Sequence, residues 1–82
     1  MNIFFVLYCL SQACLGEINS NFRRIYIVFE DMDAVKLYFY LENYTEADNQ
    51  NVYHEIMSMF EYYLDGDELH KNIKVSNEVI YG

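Results

Sequence analysis

Two runs of alternating residues, separated by Asp31-Met32-Asp33, constrain the fold of this chain more than any other feature. In the first, Phe22 to Glu30, Ile25, Ile27 and Phe29 alternate with Arg24, Tyr26, Val28 and Glu30. In the second, Ala34 to Asn43, Val35, Leu37, Phe39 and Leu41 alternate with Lys36, Tyr38, Tyr40 and Glu42. A period of two sends successive side chains to opposite faces of a strand, and both runs are rich in β-branched and aromatic residues. Two such runs joined by a short polar turn predict an antiparallel hairpin. One face of it is aliphatic, while the other is built from Tyr, Arg, Lys and Glu. A strand covered on both sides would be apolar throughout, so one side packs on helices and the other meets solvent.

The flanking segments supply those helices. Met1 to Leu15 is very apolar, with Phe4, Leu7, Leu10 and Cys14 at helical spacing and Gly16 where a C′ residue belongs. No Lys or Arg precedes the apolar run, as a secretion signal requires, and the run is shorter than the roughly 20 residues that span a bilayer. Its removal would leave about 65 residues, short on core. It is expected to be a buried helix.

After the hairpin, Thr45 offers an N-cap with Asp48 three residues on, and Glu46 and Asp48 suit the positive end of a helix dipole. The helix is predicted to reach Leu64. Val52, Ile56, Met59 and Tyr63 form one apolar stripe, and Tyr53, Met57, Phe60 and Leu64 a neighbouring one. Asp65-Gly66-Asp67 ends it, and Ile73 to Tyr81 alternates weakly through Val75 and Val79 as a third strand. The expected fold class is α+β: a two-layer sandwich in the order α-β-β-α-β. Its three-stranded, mainly antiparallel sheet carries two helices on one face, in a single domain over residues 1–82.

Charge narrows the function. Thirteen acidic against five basic residues give a net charge of −8. Nucleic acid and anionic membrane surfaces are poor partners for such a chain, and basic proteins are good ones. The excess is local. Eleven acids and one base, Lys36, lie between Glu30 and Glu68; the remaining segments hold two acids and four bases. No Lys or Arg occurs from Thr45 to Leu64, so this helix forgoes the i,i+4 ion pairs that usually stabilise an exposed helix face.

Catalytic parts are missing. The sequence assembles no nucleophile elbow, Gly-rich phosphate loop, zinc motif or Ser/His/Asp arrangement. Cys9 and Cys14 are five apart on a helix, face different ways, and are expected to be buried free thiols. His54 and His70 have no metal-ligand companions. Asp31 with Asp33, and Asp65 with Asp67 and Glu68, lack calcium-loop spacing and are ordinary turn chemistry. No enzyme activity, cofactor or metal is expected.

The pattern Leu10-x-x-Ala13-Cys14-Leu15-Gly16-Glu17-Ile18-x-x-Asn21-Phe22-Arg23, followed by the hairpin, resembles a family of small bacterial immunity proteins. These neutralise contact-dependent growth-inhibition and related polymorphic toxins. The likeness covers roughly residues 10–60, with Phe22 in place of the expected Leu and Ala47 in place of a Glu before Asp48. It implies stoichiometric binding of a cytoplasmic toxin domain, often a nuclease, encoded beside the chain. The motif itself implies structural roles, with Gly16 capping a helix and Arg23 pairing with a carboxylate.

A nuclease presents basic surface to phosphates, and an acidic protein can occupy it. The candidate partner-binding residues are Asp31, Asp33, Glu42, Glu46, Asp48 and Glu55, with Tyr38 and Tyr40. Tyr suits interfaces because it offers rigid apolar area with a polar tip. The alternative is a homodimer paired through the Tyr-bearing sheet face.

Overall fold

A computed structural model describes residues 1–82. The elements are α1 (Ile3–Cys14), β1 (Phe22–Asp31), β2 (Ala34–Leu41), α2 (Glu46–Asn51), a π-helical turn (Val52–Ile56), α3 (Met57–Asp65) and β3 (Lys74–Tyr81). The chain is thus α+β in the order α-β-β-α-β, since α2, the π turn and α3 run on as one helix with right-handed backbone at each junction.

The sheet order is β1-β2-β3. β1 and β2 form the antiparallel hairpin, Tyr26 opposite Tyr38 and Ile27 opposite Leu37. β3 joins the other side of β2 in parallel, Leu37 opposite Asn77 and Phe39 opposite Val79. The sheet is therefore mixed, where alternation alone suggested a mainly antiparallel one. The reason is topological: the long helix returns the chain to the start of β2, the kind of crossover a parallel pair needs. The Lys74 amide then donates to the Asp33 carbonyl at 2.7 Å, fixing where β3 begins.

Val35, Leu37, Phe39 and Leu41 are fully buried, so β2 contributes its entire aliphatic face to the core. Ile25, Ile27 and Phe29 from β1 and Val75 and Val79 from β3 flank it. Both helices cover this side.

The faces the helices bury differ from those the spacing suggested. In α1 the buried residues are Val6, Cys9 and Ala13, whereas Phe4 is 84% exposed, Leu7 is exposed, and Leu10 and Cys14 are only half-buried. A helix that is apolar nearly all round has no unique stripe, so docking chooses the face. Here the choice is made at the N-terminus, where the Asn2 amide donates to Nε2 of His70 at 2.9 Å and the Phe5 ring packs on that imidazole. At the other end Gly16 takes φ of +77°, the left-handed C′ conformation that glycine adopts without strain.

In the long helix Val52, Ile56, Met57, Phe60 and Leu64 are buried, whereas Met59 and Tyr53 are exposed and Tyr63 half-buried. Residues four apart gain about 40° on an α-helix, so 52, 56, 60 and 64 would drift off a common face. The π turn, in which the Met57 amide reaches back to the Val52 carbonyl, offsets that drift and keeps the row on the sheet.

Candidate partner-binding surface

The eight candidate residues divide among three places. Asp31 and Asp33 stand exposed at the hairpin tip, Asp31 closing β1 and Asp33 entering β2. Glu42, Glu46 and Asp48 lie past the opposite end of β2, some seven residues or roughly 23 Å away along the strand. Glu55 lies farther along the helix, exposed. Tyr38 and Tyr40 point out of the sheet on the side away from both helices, half-buried among their neighbours. The set is not one continuous patch, because the sheet separates its tyrosines from its helix acids.

The open sheet face is also not acidic. Tyr26, Val28, Tyr38, Tyr40 and Ile80 share it with Arg24, Lys36 and Glu78 by register. Lys36 lies 4.9 Å from the Tyr38 ring centre and 3.4 Å from the Glu78 carboxylate, and Arg24 donates to the Tyr26 hydroxyl at 3.2 Å. Tyr26 and Tyr40 meet edge to face at 5.5 Å. Glu42, expected on this face, follows the strand's end, and its amide donates to the Asn21 carbonyl at 2.8 Å.

Asp48 holds the helix start in place. It is 8% exposed. Its Oδ1 accepts from the Asn19 side chain and its Oδ2 from Asn21 and the Thr45 hydroxyl, each at 2.8 Å, while its own amide donates to Thr45 at 3.0 Å. Those bonds, Asn19 first, hold its carboxyl below the usual carboxylate range. Asn21 further bonds both backbone groups of Asn43, and Asn51 reaches the Glu17 carbonyl at 2.9 Å. The turn after α1 is thereby fastened to the loop before α2. Arg23, expected to meet a carboxylate, pairs with no Asp or Glu side chain and donates to the Gly82 main-chain oxygen at 3.0 Å.

Asp48 and Glu55 line an open groove of about 420 Å³ with Ala47, Gln50, Asn51 and His54. On the helix face carrying Glu46 lie three exposed tyrosines: Tyr53, which the spacing placed in an apolar stripe, and Tyr44 and Tyr81, to which it gave no binding role. Tyr44 donates to the Glu46 carboxylate and packs edge to face on Tyr81 at 5.2 Å. The Tyr81 hydroxyl reaches Asn49 at 2.9 Å. Glu46, Asn49, Gln50 and Tyr53 follow the spacing of one helix face, a signal present in the sequence. Nothing local indicates that Tyr44 and Tyr81 join them.

Of the other reactive groups, His70 and the two cysteines are engaged or shielded. Nε2 of His70 accepts from a backbone amide, so Nδ1 carries the proton and donates a hydrogen bond to Asp67; no ring nitrogen is left for a substrate. Burial, with the negative Asp67 adding, pushes the Cys9 thiol up, and burial with Glu17 does the same to Cys14. Both cysteines are free thiols, Cys9 buried and Cys14 half-buried, in a state unfavourable for nucleophilic attack. No three His, Cys, Asp or Glu side chains converge as metal ligands. No helix is long and apolar enough to cross a membrane.

The charge is left open. Of the eleven acids from Glu30 to Glu68, only Glu68, with Lys71, and Asp67, with His70, have a basic partner. The family model described as MafI2 immunity protein matches residues 5–81. The chain belongs to the MafI2 immunity protein family. It is therefore an immunity protein, and a cognate toxin is its partner. For this family member the Gly16 turn, Asn21 and Asp48 have the geometry of a scaffold, consistent with a sequence motif that identifies the fold. No curated protein matches the chain.

Proposed function

We propose that this immunity protein binds a cytoplasmic nuclease toxin stoichiometrically and covers its basic, phosphate-facing surface with the acids of residues 30–68. The observation that carries this reading is that nine of those eleven acids have no basic partner within the chain. An unneutralised field of one sign steers a partner of the other and matches a surface built to hold phosphates. Asp31, Asp33, Glu42, Glu46 and Glu55 supply exposed charge, Tyr38 and Tyr40 add contact area, and Asp48 positions the helix that bears Glu46 and Glu55. The protein acts by occupancy and not by catalysis. Two free thiols fit a reducing compartment.

The test pairs the protein with the toxin domain encoded beside it. Reversing Asp31, Asp33, Glu42, Glu46 and Glu55 to Lys should slow association at least tenfold and flatten its dependence on ionic strength. Unchanged association kinetics would remove the acidic surface from the account. A second reading, a homodimer paired through the open sheet face, is favoured by that face being aromatic and nearly neutral on an otherwise acidic molecule. Sedimentation of the isolated protein at several concentrations distinguishes the two.

A further inference from the structure

The tyrosines beside Glu46 form an exposed cluster of a particular chemistry. Tyr44, Tyr53 and Tyr81 are 57%, 45% and 39% exposed, high for large rings that could have packed inward. Tyr44 and Tyr81 are nevertheless held in position. The Tyr44 hydroxyl is tied to Glu46, whose other oxygen accepts from Gln50 at 2.9 Å. The Tyr81 hydroxyl is tied to Asn49, and its ring meets that of Tyr44 edge to face. Tyr53 lies one turn beyond Asn49 on the same helix face. Three rings and a carboxylate are thus presented by three separate segments, the loop before α2, the helix and the end of β3.

An aromatic face attracts a cation through its quadrupole, and a guanidinium does so best because it can stack flat while its N–H fork reaches a carboxylate. The chain supplies no such cation here. Its one cation over a ring is Lys36, over Tyr38 on the far side of the sheet. Glu46 likewise has no basic partner.

We propose that Tyr44, Tyr53 and Tyr81, with Glu46 at their edge, take one arginine side chain from the surface of the toxin. The proposal rests on the toxin-binding reading and deepens it by naming where the partner's charge is anchored. The open groove at Glu55 and the hairpin tip at Asp31 and Asp33 offer charge without rings, so they attract a basic surface without holding one side chain. Tyr and Arg are also the residues that most often dominate an interface's energy.

The experiment has two arms. First, an octa-arginine peptide is titrated into the ¹⁵N- and tyrosine-labelled protein and followed by NMR. Shifts should concentrate on Tyr44, Tyr53, Tyr81 and the Glu46 amide, saturate together, and weaken several-fold with octa-lysine. Shifts concentrated on Asp31, Asp33 and Asp65 to Glu68 would overturn the proposal, as would concentration-dependent shifts of the same tyrosines without peptide, which mark a second copy as occupant. Second, Tyr44→Ala with Tyr53→Ala, checked for an unchanged fold by its amide spectrum, should weaken toxin binding at least tenfold, mostly through faster dissociation. A toxin that binds wild type and double variant within twofold of each other overturns the arginine site alone. A toxin domain that does not bind the wild-type protein overturns the toxin reading, while the peptide arm still decides whether the tyrosine cluster takes arginine.

Discussion

Nε2 of His70 accepts a 2.9 Å hydrogen bond from the backbone amide of Asn2, 68 residues earlier in the chain. A backbone N–H can only donate, so this bond fixes the neutral tautomer with its proton on Nδ1, directed at Asp67. His70 is 3% exposed, and Phe5 packs on its ring. One imidazole thus docks the first turn of α1 onto the loop that follows α3.

His70→Ala should therefore destabilise the protein by about 3 kcal/mol, since it opens space under Phe5 and strands the Asn2 amide and Asp67. His70→Gln, whose side-chain oxygen can reach the Asn2 amide, should lose less. Urea unfolding of the two variants measures the difference, and amide exchange should accelerate first in α1.

The docked face of α1 makes an opposite pair of outcomes. Phe4 is exposed, so Phe4→Ser should change stability by no more than about 0.5 kcal/mol. Val6 is fully buried, so Val6→Ser should cost about 2–4 kcal/mol by removing apolar volume and leaving a hydroxyl in the core. Thermal unfolding of both variants checks which face is inward.

Asp48 gives a pH dependence with a definite sign. Bonds from Asn19, Asn21 and Thr45 lower its carboxyl in the folded state, so the native protein binds fewer protons there than the unfolded chain. The stabilisation is complete above the unfolded-state value of about 3.9 and is lost as pH falls through the lower folded value. Asp48→Asn should cost about 1–3 kcal/mol at neutral pH. The gap between variant and wild type should close in strong acid, as followed by urea midpoints across the acid range.

Asn77 sits on the covered side of β3 between Val75 and Val79, and its Oδ1 is buried without a hydrogen-bond partner. Asn77→Val removes that unmet acceptor and suits a strand. It should raise stability by about 1 kcal/mol, visible as a higher thermal midpoint.

How far the sequence could be read depended on whether one face of an element differed from the other. Val35 to Leu41 alternates cleanly between aliphatic and polar residues, and its buried set was legible down to the residue. α1 has no polar face, so the spacing of Phe4, Leu7, Leu10 and Cys14 could not reveal that Val6, Cys9 and Ala13 face the core. In the long helix the π turn changed the phase that a 3.6-residue period assumes, which is why Met59 and Tyr53 moved outward. Among the candidate binding residues, charge and exposure were legible for Asp31, Asp33, Glu42, Glu46 and Glu55. The enclosure of Asp48 was not, since Asn19 and Asn21 come from a turn almost thirty residues away.

The hairpin, the capped helix start at Thr45, the glycine turn at Gly16 and the base-free acidic segment from Glu30 to Glu68 were determined by sequence alone. Each rests on residues close together in the chain, where local sterics, hydrogen bonding and charge act without help from distant partners. The parallel seating of β3, the buried tautomer of His70 and the gathering of Tyr44, Tyr53 and Tyr81 around Glu46 were decided only by the tertiary structure. Those features join segments tens of residues apart, and packing over the shared core is what brings them within reach of one another.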